Sequence, residues 1–304
     1  MGTASIHFDH VGLAWRNFWH RVGARRSSSR DCIHLQHAWR YLRGQTPRVL
    51  LDGTRCCLDT CLEPALFDAY EKVRATLKRA PVAHRIPLGL LLLSRQQLTA
   101  EQLRTALEAQ RGAGQGRLGE WLLSLGFVTE EKITAALARQ WSCPMLRARS
   151  LLPRTWRSLQ LPSALLETFN MIPVDYIEDT STLHIAFGDG VDHNVLYAIE
   201  KMTESHTEPC MATSSFVRAN LASQLGERSE CEVVFEGSVD TAECGRIVRS
   251  YCTRLSAYEI RLAGCGPYIW FRLFRVSRPP MDLLFRTGPL GPLSRINSAH
   301  KVRP

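Results

Sequence analysis

The sequence predicts an α+β protein: a tandem helical-repeat subdomain, then a small three-stranded α/β subdomain, then a further small α+β segment. Three observations predict it. A 24-residue pattern is written twice, from Pro87 to Gln110 and from Arg117 to Gln140. Short apolar runs then alternate with helix-like stretches from Pro162 to Leu225. Finally, an amphipathic stretch precedes a strand-like pair between Thr241 and Phe274. Repetition at a fixed period signals paired supersecondary units, and alternating strands and helices signal a layered α/β unit.

Aligned end to end, the copies PLGLLLLSRQQLTAEQLRTALEAQ and RLGEWLLSLGFVTEEKITAALARQ agree at Leu88/Leu118, Gly89/Gly119, Leu92/Leu122, Leu93/Leu123, Thr99/Thr129, Leu107/Leu137 and Gln110/Gln140. Each reads as a short helix, a turn and a longer helix. Thr99 with Gln102 makes a capping box, and Thr129 is an N-cap before the acidic turn of Glu130 and Glu131. The RGAGQG spacer at 111–116 is too rich in glycine to continue a helix.

Beyond the repeats, helices are expected over Pro162–Phe169, His193–Met202 and Ser215–Leu225. Strands are expected over Met171–Tyr176, Leu183–Phe187 and Glu208–Ala212. After the polar joint at 226–230 come a strand from Cys231 to Phe235 and a helix from Thr241 to Leu255. A hairpin from Glu259–Leu262 to Tyr268–Phe274 follows, with a further strand from Asp282 to Phe285. Upstream, a helix is expected from Pro64 to Arg79. The resulting division is 1–30, a basic arm; 31–84, a small cysteine-containing segment; 85–225, the repeats with the α/β unit; 231–287, an α+β segment; and 288–304, a Pro-, Gly- and Ser-rich tail.

At 304 residues and 45% hydrophobic content, the chain is long enough for two or three domains with buried cores. Apolar runs such as Leu90–Leu93 are far shorter than the roughly 20 residues of a membrane span. The start, MGTASIHFDH, lacks a basic stretch followed by an apolar one, so a cytoplasmic protein is expected. Ten cysteines without a regular framework read as reduced thiols. The net charge of +9 is concentrated early, where Arg16, Arg21, Arg25, Arg26, Arg30, Arg40, Arg43 and Arg48 face only Asp9 and Asp31. Such an arm suits nucleic acid, anionic lipid or a phosphorylated ligand.

The second copy, with RLG at 117–119, LLSLGFV at 122–128 and LARQ at 137–140, resembles the N-terminal domain of the type II secretion and type IV pilus assembly ATPases. So do Leu161-Pro162, MIPV at 171–174 and LHIAFGD at 183–189, and the resemblance covers about 87–225. It implies a regulatory module whose paired motifs bind cyclic di-GMP or dock to secretion or pilus machinery. The implied ligand residues are Arg117, Leu118, Gly119, Leu122, Leu123, Gly126, Phe127, Val128, Leu137 and Gln140 in the second copy. In the first they are Leu88, Gly89, Leu92, Leu93 and Gln110. The residue types suit the ligand: a guanidinium stacks on a purine and pairs with phosphate, and glycine lets backbone approach closely. The first copy departs from the motif at Pro87, where the family has Arg, and at Gln96, where it has Gly; Arg85 lies just upstream.

The stretch IVRSYCTRLSAYEIRL at 247–262 with YIWFRLFR at 268–275 looks like the domain preceding the motor in these ATPases. Here Tyr258 and Glu259 replace the family's small and acidic pair, and Arg261 stands near the position of its His. No G-x-x-x-x-G-K-[ST] occurs, and GPLGPLSR at 288–295 lacks the phosphate-reaching Lys. A non-enzymatic module without the motor is therefore expected, with no required cofactor. Other readings stand beside it. One is a protein-interaction adaptor with a vestigial nucleotide pocket. The other is a nucleic-acid binder using the basic arm. Tyr268, Trp270, Phe271 and Phe274 beside Arg272 and Arg275 also offer stacking faces for bases, but on a strand of this type such a run is more often core on one face and basic surface on the other.

Cys57 and Cys61 lie one helical turn apart and suit a structural zinc ion. Cys32 with His37 or His34 would complete the four ligands, and Cys56 is a spare. His184 and His193 read as structural. No nucleophile elbow or zinc-protease motif occurs.

Overall fold

A computed structural model describes residues 48–58, 61–78, 85–146, 159–225, 231–237 and 239–287. The basic arm and the terminal tail lie outside the described residues. Among those described, the fold is α+β, with nine α-helices and two sheets.

Strict alternation decides the larger sheet. Strands β7 (Glu259–Cys265), β8 (Tyr268–Arg275) and β9 (Arg278–Arg286) form an antiparallel meander. On β8, Ile269, Phe271 and Leu273 enter one core while Tyr268 and Trp270 enter another. β7 sends Ile260 and Leu262 one way and Ala263 and Cys265 the other. β9 splits Leu283 and Phe285 from Leu284. Both faces are therefore covered. Phe285 stacks on Phe235 at 4.5 Å and meets Phe271 edge-on at 5.5 Å. Removing a ring buried like that of Phe271, at 0% exposure, costs roughly 3–5 kcal/mol.

This sheet gathers distant segments. β1 (Arg48–Leu51) and β2 (Thr54–Cys57) make a hairpin that joins β7 in parallel, Leu50 opposite Glu259. β6 (Glu232–Phe235) joins β9 in parallel, giving the order β2-β1-β7-β8-β9-β6. Helices α1 (Leu62–Lys78) and α9 (Thr241–Leu255) cover the face carrying Phe271. Gly264 makes room for α1: a Cβ there would stand 2.6 Å from a Val73 methyl and 2.8 Å from Leu77 Cγ. Segments 31–84 and 231–287, which the sequence reading keeps apart, thus share one sheet and one core through residues 48–78 and 232–286.

The opposite face carries the α/β unit. Here β3 (Met171–Ile177) runs antiparallel to β4 (Thr182–Phe187), and β5 (His206–Met211) is parallel to β4. The connection from β4 to β5 is α7 (His193–Thr203); α6 (Ser163–Thr168) precedes β3 and α8 (Ser214–Leu225) follows β5. Polar groups fasten this layer to the large sheet. Glu232 at the start of β6 accepts the amides of Ser163 (2.8 Å) and Ala164 (3.0 Å), capping α6. Lys201 reaches both Asp52 (2.8 Å) and the Leu262 carbonyl (2.6 Å). Arg272 and Asp282, each at most 3% exposed, form a two-pronged pair at 2.8 Å. Trp270 Nε1 donates to the same carboxylate at 2.7 Å. The guanidinium also donates to the carbonyls of Leu159 and Gln160.

Candidate ligand site on the paired helical repeats

In copy one, α2 (Leu88–Ser94) ends in a left-handed residue, Gln96 at φ +56°, and Thr99 caps α3 (Ala100–Ala113). In copy two, α4 (Leu118–Ser124) ends at Gly126, φ +69°, before α5 (Glu130–Gln140). The turns are the same structure. Gln96 and Gln97 donate to Leu93 and Leu92 at 2.9 and 3.0 Å, and Gly126 and Phe127 donate to Leu123 and Leu122 at the same distances. Thr99 and Gln102 complete the expected capping box. Thr129 occupies the N-cap position without a side-chain bond. Against expectation, α3 continues through Arg111, Gly112 and Ala113, and left-handed Gly114 stops it.

The copies exchange partners: α3 packs on α4 and α5 on α2. At the centre of the exchange, a Cβ on Gly89 would meet Leu103 at 2.8 Å and Leu118 at 3.4 Å. One on Gly119 would meet the equivalent Ile133 at 3.5 Å and Leu88 at 3.6 Å. The two motif glutamines play matching parts. Gln110 Nε2 donates to the Gly116 carbonyl at 2.9 Å, and Gln140 Nε2 to the Ile86 carbonyl at 2.6 Å. Each glutamine therefore pins the residue just ahead of the other copy's motif.

The sequence-predicted ligand residues separate by position. Leu92 and Leu122 (both 0% exposed) and Val128 fill the helical core, with Leu88, Leu118, Phe127 and Leu137 packed around them. Leu93 is half-buried, while Leu123, Gly126 and Arg117 are exposed. The Arg117 side chain, 54% exposed, ion-pairs with Asp189 at 3.3 Å, immediately beyond β4. Its backbone N–H donates to Glu120 at 3.1 Å at the start of α4. The Arg85 guanidinium lies 3.2 Å over the Trp141 ring. Trp141 also meets His193, with centroids 5.9 Å apart, and would crowd a Cβ at Gly190, 3.1 Å from its Nε1. Desolvation against this cluster, then the Arg85 charge, lowers the His193 pKa, with Asp192 opposing. A third tie runs from Glu130, at the start of α5, to Ser215: its carboxylate accepts the Ser215 amide at 2.7 Å and hydroxyl at 2.5 Å. Trp141 and Asp189 carry no repeat signal. Trp141 directly follows the motif glutamine and Asp189 closes the LHIAFGD stretch, and those adjacencies are the available cues.

Of the zinc set, Cys32 and His37 lie outside the described residues. Cys57 and Cys61 are buried with their sulfurs 3.0 Å apart, closer than the ~3.8 Å between two thiolates on a tetrahedral zinc with Zn–S of about 2.3 Å. No cluster of three or more His, Cys, Asp or Glu side chains suited to a metal occurs among the described residues. The β8 aromatics follow the core reading: Tyr268, Trp270 and Phe271 are at most 5% exposed and offer bases no stacking face, and Arg261 lies 4.6 Å over the Phe274 ring. His184 is buried, with Nε2 3.3 Å from Glu208 on the neighbouring strand. No helix among the described residues is long and apolar enough to cross a membrane.

No protein-family model matches the chain. It is 29% identical over 141 residues to the type IV pilus assembly ATPase PilB of Thermus thermophilus, covering 46% of this chain and 16% of that protein. The chain thus spans less than a fifth of that relative's length. Among solved structures it is similar to MshE with cdg, at 27% identity and a TM-score of 0.39, covering 46% of this chain and 99% of that one. It is also similar to the N-terminal domain of XpsE, at 23% identity and a TM-score of 0.36, covering 44% of this chain and 91% of that one.

Proposed function

Given a chain that carries a domain similar to the N-terminal domain of the type II secretion and type IV pilus assembly ATPases, we propose that it is a non-catalytic regulatory module. Cyclic di-GMP binds at the paired repeats with Arg117 as anchor, and binding changes how the module meets a protein of the secretion or pilus machinery. The observation that carries this reading is the state of Arg117: exposed, at the mouth of the intact second motif, and held by the Asp189 carboxylate across the boundary with the α/β unit. A phosphate or guanine edge offers the same guanidinium a charge-assisted partner. Ligand therefore competes with Asp189, and loss of that tie loosens the helical pair from the α/β unit. An exposed ion pair contributes less than about 1 kcal/mol, so the exchange is within reach of a modest ligand.

A displacement titration with fluorescent cyclic di-GMP tests this. Arg117→Ala should weaken binding roughly tenfold or more, the equivalent of about 1.5–3 kcal/mol for a hydrogen bond to a charged group. Asp189→Asn should strengthen it by freeing the guanidinium. Equal affinity in all three proteins would refute the Arg117 anchor. The adaptor reading draws its support from copy one, where Pro87 stands in place of the motif arginine. If no cyclic di-GMP binds at all, that reading replaces the first.

A further inference from the structure

We propose that the groove between α1 and α9, on the far face of the large sheet, is an anion site for a small ligand carrying a diphosphate group. It is a second site, separate from the repeats. The groove has a volume of about 460 Å³ and is lined by Glu63 of α1 and by Arg246, Arg249, Ser250, Thr253 and Arg254 of α9. The α9 residues fall at i, i+3, i+4, i+7 and i+8, a complete face of a helix. The opposite face, with Cys244, Val248 and Cys252, is buried in the core. Three guanidinium groups against one carboxylate leave this open, shallow strip at +2 (3 − 1).

An ordinary solvated helix face disperses like charges; this one concentrates three, pairs one with Glu63 and leaves a net excess of two. Arg249 donates to Glu63 at 2.8 Å. The Arg254 guanidinium lies 4.4 Å from the centre of the Tyr251 ring, a cation–π contact that favours one placement of it. Thr253, which lines the groove, spends its hydroxyl proton on the Arg249 carbonyl at 3.1 Å, so its oxygen is left only as an acceptor. From Arg246 to Arg254 the strip runs about 12 Å along the axis, longer than one phosphate and suited to two. Guanidinium forks match phosphate oxygens two at a time.

The probe is inorganic pyrophosphate, titrated into the full chain by calorimetry at matched ionic strength, with inorganic phosphate in parallel. Pyrophosphate should bind saturably and more tightly than phosphate. Arg246→Gln and Arg254→Gln should each weaken it at least fivefold, Glu63→Gln should tighten it, and Arg117→Ala should leave it unchanged. All four are at exposed or half-exposed positions, and thermal melts should confirm that each remains folded. No saturable heat with wild-type protein, or the same affinity in both arginine variants, would overturn the proposal. The latter result would assign the binding to other basic residues.

Discussion

Gln96 holds a backbone conformation that a side chain disfavours, φ +56°, at the position where copy two has Gly126. A left-handed residue with a Cβ costs roughly 1–2 kcal/mol. Gln96→Gly should therefore raise stability by about 1 kcal/mol in urea unfolding, while Gly126→Ala should lower it by a similar amount. The departure was visible in the repeat alignment; that the turn keeps its geometry regardless was not, because the hydrogen bonds to Leu92 and Leu93 impose it. Two titrating residues set an acid limit. Burial raises the Glu200 pKa, but hydrogen bonds from His206 and Thr207 outweigh it, and the net shift is downward. The His193 pKa is also lowered. A lowered carboxylate stabilises above its unfolded pKa and loses that contribution as pH falls through the folded value. A lowered imidazole loses stability as pH falls through its unfolded value, about 6.5, because unfolding then takes up a proton. Both signs agree: the denaturation midpoint should drop on acidification. His193→Gln should flatten the profile below about pH 6.5, and Glu200→Gln below about pH 4.5.

At the scale of elements, most helices and strands after residue 87 announce themselves by period, and α9 has the bounds its amphipathic pattern predicts. The β1–β2 hairpin is the main omission. Its turn, Asp52-Gly53, has φ +46° and +82°, the two positive values of the tight turn that Asp-Gly favours. Pairing of β1 with β7 has no local signature at all, since the partner strand lies far along the chain. The strands' contacts across layers are equally silent in sequence. Arg272 reads as basic surface on β8, yet its alternation places it between the sheet and the α/β unit, where Asp282 and two linker carbonyls complete its hydrogen bonds. Arg272→Leu strands the buried Asp282 carboxylate and should cost roughly 3–5 kcal/mol. The double change Arg272→Leu with Asp282→Leu should recover much of that loss, measured by the same unfolding midpoints.

Across the whole molecule, the large sheet is the shared wall: α1 and α9 on one side, the α/β unit on the other, and the helical pair attached to the α/β unit by Glu130, Trp141 and Arg117. Residues 48–78 supply two strands and a covering helix to that wall. A chain starting at residue 85 should consequently lose the cooperative unfolding of the sheet and expose the core around Leu262 and Phe271, seen as strong binding of a hydrophobic dye. If it melts as sharply as the full chain, the shared core is not what holds the sheet. The attachment of the helical pair is where regulation would act, since Arg117 serves both the α/β unit and the proposed ligand. The measurement that bears most directly on this is calorimetric titration of cyclic di-GMP into the full-length protein beside Arg117→Ala. Saturable binding that the substitution removes is the predicted result; an absence of heat with the unaltered protein, or heat unchanged by the substitution, would contradict it.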